Sequence, residues 1–359
     1  MKRRTLLFSA ALLPAIARAQ QSAFAGYDRA MVIDALGGPG GDDTDKLSAK
    51  DLRNAIDSGV TACNKTVAYT PSWEECVAGI AAEQAELDDY PETLLHVKRA
   101  ADLKRAKESK RVGMIFGVQN LAMIGGDISK LGVLHDLGVR ITQLTYNVRN
   151  LLGDGSLEPG NGGLSNFGRE VISKMGELKL QLDLSHAGYR TIQEGIAAAK
   201  NPPVISHTGC TAVVKHPRCV PDEILRLLAQ KGGVAGIFFM PYLREHGQPM
   251  GEDVVRHLEH AIDVAGEDHV GLGTDGSLSP MLVTEETRKA HRENVAERKK
   301  LGIGAPNEDP EVLNYVPDLN TPRRFETLAL MLSKRGHKDA RIEKILGANF
   351  ARAFTANWG

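Results

Sequence analysis

The amino-acid sequence predicts a single (β/α)8 barrel of the TIM type, and three observations predict it. Eight short apolar runs alternate with stretches of helical periodicity. No strong hairpin signal separates the runs, so the strands are expected to be parallel and the sheet closed. Three of the runs end in polar tips: Leu182-Asp183-Leu184-Ser185-His186, Pro203-Val204-Ile205-Ser206-His207 and Val270-Gly271-Leu272-Gly273-Thr274-Asp275. The C-terminal tips of barrel strands are where such folds build their active sites.

Residues 1–19 read as a leader and not as part of the fold. Lys2-Arg3-Arg4 is a charged start. Thr5 to Ile16 is largely apolar but too short to span a bilayer, and Ala17-Arg18-Ala19 is a small-x-small cleavage site. The Arg pair before Thr-Leu-Leu suits a twin-arginine signal. A general secretory signal and an uncleaved anchor are the alternatives. A periplasmic or secreted location is therefore expected, with the barrel occupying residues 20–359.

The expected strands, in order, are Met31–Ala35, Val60–Asn64, Val112–Val118, Val139–Leu144, Leu180–Leu184, Val204–Ser206, Val234–Phe238 and Val270–Thr274. Their near-continuous apolar character suits parallel strands covered on both faces. Amphipathic segments between them include Trp73–Ala101, Phe167–Leu178, Asp222–Gln230 and Gly251–Val264. Residues 277–316 interrupt the pattern. Glu285-Glu286-Thr287-Arg288-Lys289 and Glu297-Arg298-Lys299-Lys300 read as a solvated helical excursion or as a lid over the site. Arg323 to Phe354 reads as two closing helices.

With 359 residues, 42% of them hydrophobic, the chain can bury one large core. Loss of Lys2, Arg3, Arg4 and Arg18 with the leader takes the formal charge from −1 to −5. That balance argues against a nucleic-acid partner. Neither Gly-rich phosphate-loop pattern is present. The four cysteines form two local pairs, Cys63 with Cys76 and Cys210 with Cys219. An oxidising compartment would permit one or two disulfides, with connectivity left open. Cys210, just beyond His207, is a weaker candidate for a place near a metal.

A lone histidine at a strand end is usually structural. Two successive Ser-His tips and a Thr-Asp tip on one face instead suit a divalent ion held by His186, His207 and Asp275. Zn2+ is the default, with Fe(II) or Mn as alternatives.

From about Met31 to Phe354 the sequence resembles the membrane (renal) dipeptidase family. The similarity is carried by Gly163-Leu164-Ser165-Asn166-Phe167-Gly168-Arg169-Glu170-Val171, Asp183-Leu184-Ser185-His186, Ser206-His207, His216-Pro217-Arg218 and Lys344-Ile345-Leu346-Gly347-Ala348-Asn349-Phe350-Ala351-Arg352. The resemblance implies an amidohydrolase-like barrel with a two-metal site, usually zinc, that hydrolyses dipeptides. It also implies a homodimer. By the same resemblance His186 and His207 bind the second metal, and Asp275 binds the first and handles the proton of the attacking water. Arg218 grips the substrate carboxylate, with Asn147 also placed among the substrate contacts.

The departures are concentrated on the first metal. Leu36 stands where the family has its strand-1 histidine and Gly38 where it has an aspartate. Gln119 replaces the bridging glutamate, and Tyr146 replaces the histidine that contacts the substrate. The expectation is a site reduced to at most one metal, held by His186 and His207 with help from Gln119 or Asp275. Asp275 is then the general base and Tyr146 a donor to the oxyanion. The substrate is expected to be a dipeptide or a small carboxylate-bearing amide. Two alternatives stand beside this reading: a non-hydrolytic isomerase or lyase acting on a modified peptide, and a non-catalytic binding protein.

Overall fold

The computed structural model describes residues 24–40, 46–306 and 308–359, so the leader read at residues 1–19 lies outside the described residues. Eight parallel strands follow one another around a single sheet. They are β1 (Ile33–Asp34), β2 (Ala62–Ala68), β3 (Val112–Val118), β4 (Val139–Gln143), β5 (Gln181–Asp183), β6 (Val204–Cys210), β7 (Val234–Ile237) and β8 (Val270–Leu272). The Ala35 N–H donates to Leu272 O at 2.9 Å, joining the last strand to the first. Just above that seam, Gly37–Gly38 pairs in parallel with Gly276–Ser277. The result is a nearly closed barrel in which every expected strand is found. β2 and β6 run longer than expected, so His207 lies within β6 and not beyond its end.

The helices are α1 (Ala49–Asp57), α2 (Trp73–Asp89), α3 (Ala100–Ser109), α4 (Lys130–Asp136), α5 (Asn166–Leu178), α6 (Tyr189–Ala198), α7 (Asp222–Gln230), α8 (Gly251–Ala265), α9 (Glu285–Lys300), α10 (Arg324–Lys334), α11 (Asp339–Glu343) and α12 (Asn349–Trp358). The segment read as one helix over Trp73–Ala101 is instead α2, a short strand and α3. Leu94–His96 pairs alongside β3. Pro91 stops the helix, because proline lacks the N–H a helix needs, and Leu94 and Leu95 behind it are buried. The closing segment is likewise three helices, with a turn of π-helix at Lys344–Ala348.

Local chemistry sets the starts of several helices. Ser165 caps α5 by accepting the Gly168 N–H at 2.9 Å, which gives the Ser165-Asn166-Phe167-Gly168 run a structural role. α12 carries Phe350, Phe354 and Trp358 into a cluster with Ile33, Ala62, Val204 and Val234, the first residues of β1, β2, β6 and β7. The strand starts are thereby sealed with apolar surface. The opposite face, at the strand C-termini, is left to carry polar groups.

Candidate metal and substrate site

His186, just beyond β5, and His207, within β6, meet with their rings edge to face and centroids 4.9 Å apart. Both are buried. Burial first, and then the positive charge of Arg218, hold both imidazoles well below the ordinary histidine range, so both are neutral. His186 has a φ of +62°, a backbone state that non-glycine residues rarely adopt. Such strain gathers at sites that over-determine their geometry.

The hydrogen-bond network assigns each imidazole proton. Asp183, fully buried at the end of β5, accepts from Gln143 Nε2, from the Ser185 N–H and Oγ, and from the Ser206 N–H and Oγ. These five donors offset the burial that pushes its carboxyl upward. Ser206 has spent its hydrogen on Asp183 at 2.5 Å, so at 2.8 Å it accepts from His207 Nδ1. The proton of His207 is therefore on Nδ1. Its Nε2 carries a lone pair, is buried, and has no hydrogen-bond partner.

His186 is held in the same way by a different group. Its Nδ1 lies 2.7 Å from Asn147 Oδ1. The amide orientation follows from Asn147 Nδ2, which donates to Ile303 O at 2.7 Å. His186 thus donates through Nδ1, which leaves the lone pair of the neutral ring on Nε2. Both ends of the Asn147 amide are taken by the protein. Asn147, expected among the substrate contacts, is here engaged with His186 and with Ile303 O. Two neutral imidazoles with Nδ1 tied down and Nε2 free are what a metal site requires of histidine.

Tyr146 lies flat on His186, ring centroids 4.1 Å apart and planes 20° from parallel. Its hydroxyl accepts from Arg298 Nη1 at 3.2 Å. Arg218 is buried, and the carboxylate of Asp275 counters the cost of that burial on its guanidinium. Its loop is anchored at His216. The Arg218 N–H donates to His216 Nδ1 at 3.1 Å, and His216 Nε2 lies 3.1 Å from Pro306 O. His216 also stacks on Tyr242 at 4.2 Å. A cavity of about 220 Å³ opens beside the histidine pair, bordered by His186, His207, Arg218, Glu158 and Tyr189.

The other two expected ligands, Asp275 and Gln119, stand at other strands of the same barrel mouth. Asp275 follows β8 with a φ of +58°, and its N–H donates to Leu36 O at 2.8 Å. That bond ties its backbone to the β1 side of the barrel, while its carboxylate lies near enough to Arg218 and Tyr146 to act on both. Gln119 spends its Nε2 on Thr66 Oγ1 at 2.7 Å. Among the described residues, no three His, Cys, Asp or Glu side chains are gathered as a ligand group. Of the expected set of His186, His207, Gln119 and Asp275, the two histidines are in ring contact. Leu36 is buried and cannot ligate. A Cβ on Gly38 would come 2.7 Å from Lys65 Cδ, so the lysine stem occupies the space an aspartate would need.

All four cysteines are buried free thiols. Burial raises Cys63 and Cys210 beyond the usual thiol range, and Cys219 to about 12, so they are unreactive packing residues.

Two supporting residues were missed from sequence. Asp183 carried a signal: an acid inside an apolar strand must be hydrogen-bonded to be buried. Arg298, inside a charged run of helix, carried none.

Dipeptidase verJ of Clonostachys rogersoniana is 32% identical over 191 residues, spanning 53% of this chain and 49% of that protein. Dipeptidase tcpJ of Claviceps purpurea is 26% identical over 273 residues, spanning 75% of this chain and 56% of its own length. The chain thus spans about half the length of these curated relatives. An amidohydrolase from Pseudomonas aeruginosa superimposes with a TM-score of 0.82 at 29% identity, covering 93% of this chain and 98% of that one. A metallopeptidase from Rhodobacter sphaeroides, liganded with a phosphinate mimic of the dipeptide L-Ala-D-Ala, shares the fold with a TM-score of 0.74 at 19% identity, covering 92% of this chain and 99% of that one. The family model for membrane dipeptidase, peptidase family M19, matches residues 43–291. The chain belongs to the membrane dipeptidase family, M19.

Proposed function

We propose that this protein is an exported metal-dependent hydrolase of dipeptides or small carboxylate-bearing amides, working with a site reduced to one metal. The observation that carries the reading is the pair of neutral imidazoles of His186 and His207, both with the proton on Nδ1 and His207 with a partnerless Nε2, beside the buried Arg218. The orphaned His207 Nε2 fits an ion, since a buried acceptor without a partner otherwise costs roughly 1–3 kcal/mol. His186 and His207 would hold that ion, with zinc, the family's usual metal, as the first expectation. When bound, it supplies a Lewis acid that polarises the scissile carbonyl and acidifies water.

The chain's own residues do the rest. Arg218 pairs its planar guanidinium with the substrate carboxylate. Asp275 accepts the proton of the attacking water. Tyr146 donates to the oxyanion as the carbonyl carbon becomes tetrahedral, a contribution of about 3 kcal/mol for one well-placed donor. Leu36, Gly38 and Gln119 leave the family's first-metal position without anchors.

The test is a panel of dipeptides and N-acyl amino acids incubated with metal-loaded protein, with product masses read by mass spectrometry. Products that together add one water support the reading. Products of unchanged total mass favour an isomerase, and no product from any amide favours a binding protein.

A further inference from the structure

α9 presents a physical puzzle. None of its residues is buried, so apolar packing does not explain where it lies. What holds its C-terminal end is a set of polar contacts to the site. Arg298 donates to Tyr146 Oη at 3.2 Å and pairs with Glu308 at 3.0 Å. Glu308 also accepts from Tyr242 Oη at 2.8 Å. Asn147 reaches Ile303 O, and His216 reaches Pro306 O. The Arg298 and Glu308 side chains are only 22% and 11% exposed, so this pair is more ordered than a surface one.

The direction of the Arg298–Tyr146 bond matters most. A guanidinium has no acceptor, so Tyr146 must accept. Its one hydroxyl hydrogen is therefore not used on Arg298. The ring beneath is fixed by its stack on His186, so ring and oxygen are held at two points. Accepting one hydrogen bond also strengthens a hydroxyl as a donor of the next.

We propose that Arg298 is a positioning residue that makes Tyr146 the oxyanion donor, so that the C-terminal end of α9 completes the active site. This rests on the amide-hydrolase reading above. The substrate class is unchanged; the inference assigns which residue aims the donor.

The test is calorimetric binding of the phosphinate mimic of L-Ala-D-Ala, whose tetrahedral oxygen stands in for the oxyanion, with D-Ala as a control for the carboxylate end. Tyr146→Phe is expected to weaken phosphinate binding roughly 100-fold, the lower end of the span for losing one oxyanion donor, and Arg298→Met roughly 10-fold, less because the donor itself remains. D-Ala binding is expected to stay within twofold in both, as Arg218 is untouched. Arg298→Lys, which still donates, is expected to recover most of the loss. The double variant should bind no more weakly than Tyr146→Phe alone.

Losses that add in the double variant, or an Arg298→Met protein that binds like wild type, overturn the role of Arg298 while leaving the hydrolase reading intact. A wild-type protein that does not bind the phosphinate overturns the hydrolase reading, and the donor role with it. Should Arg298→Met fail to fold, Glu308→Gln frees Arg298 from its ion pair, and an unchanged phosphinate affinity there overturns the proposal equally.

Discussion

Asn147 Oδ1 accepts the Nδ1 proton of His186 at 2.7 Å while the other end of the same amide holds Ile303 O. One side chain therefore sets the tautomer of a candidate ligand and ties it to the segment that covers the site. Asn147→Ala should lower metal affinity by roughly 10–100-fold, the range for losing an orienting partner. Competition against a calibrated chelator measures it. An unchanged affinity would mean that His186 keeps its orientation through the Tyr146 stack alone.

Metal content is expected to be about one ion per chain, because catalytic zinc needs a few protein ligands and Leu36, Gly38 and Gln119 supply none of the family's first-metal anchors. Elemental analysis of protein purified without chelator reads it. His186→Ala and His207→Ala should each empty the site. Two tightly bound ions in the wild type would contradict the loss of the first position.

Ordinary L,L-dipeptides should turn over slowly or not at all. Leu36→His, Gly38→Asp and Gln119→Glu together would restore the missing ligand types, but Lys65 stands against residue 38 and is paired with Glu83 at 3.5 Å. The triple variant should take up a second ion only when Lys65→Ala is added. Uptake by the triple variant alone would indicate that the lysine stem yields easily.

Arg218→Lys keeps the charge but not the two-pronged geometry. It should weaken binding of a carboxylate substrate by roughly 1.5–3 kcal/mol, the value of hydrogen bonds to charged groups, with metal content unchanged. Binding isotherms with a hydrolysable dipeptide and with its amidated counterpart separate the cases. If both ligands lose equally, Arg218 does not recognise the carboxylate.

Asp34 predicts a pH dependence of stability. Burial raises its carboxyl from 3.8 to about 7, against hydrogen bonds from the Thr274 hydroxyl and N–H. The folded state thus favours the protonated acid. Its contribution is fully present below about pH 4 and is lost as the pH rises through about 7. Asp34→Asn removes that titration. The melting temperature of the variant minus that of wild type should rise between pH 5 and pH 8. A flat difference over that range would show that Asp34 does not titrate there.

Much of the architecture was legible in the sequence because its causes are local. A run such as Val112–Val118 is apolar throughout and has room only for a buried strand, and the structure returns the same bounds. The Ser-His tips at His186 and His207 were legible for the same reason, since a polar residue that ends a buried strand must emerge at the barrel mouth. Pro91 was equally visible, yet the strand behind it was not, because Leu94–His96 owes its state to pairing with β3.

The sequence by itself therefore determined the barrel, the face that carries the site, and the two imidazoles on it. Only the tertiary structure decided what those groups can do. Tyr146 meets Arg298 across 152 residues, Asn147 meets Ile303 across 156, and Asp183 meets Ser206 across 23. Strand and helix patterns follow from each residue's neighbours along the chain. The proton on His207, the tautomer of His186 and the aim of Tyr146 depend on partners that only folding brings within hydrogen-bond reach.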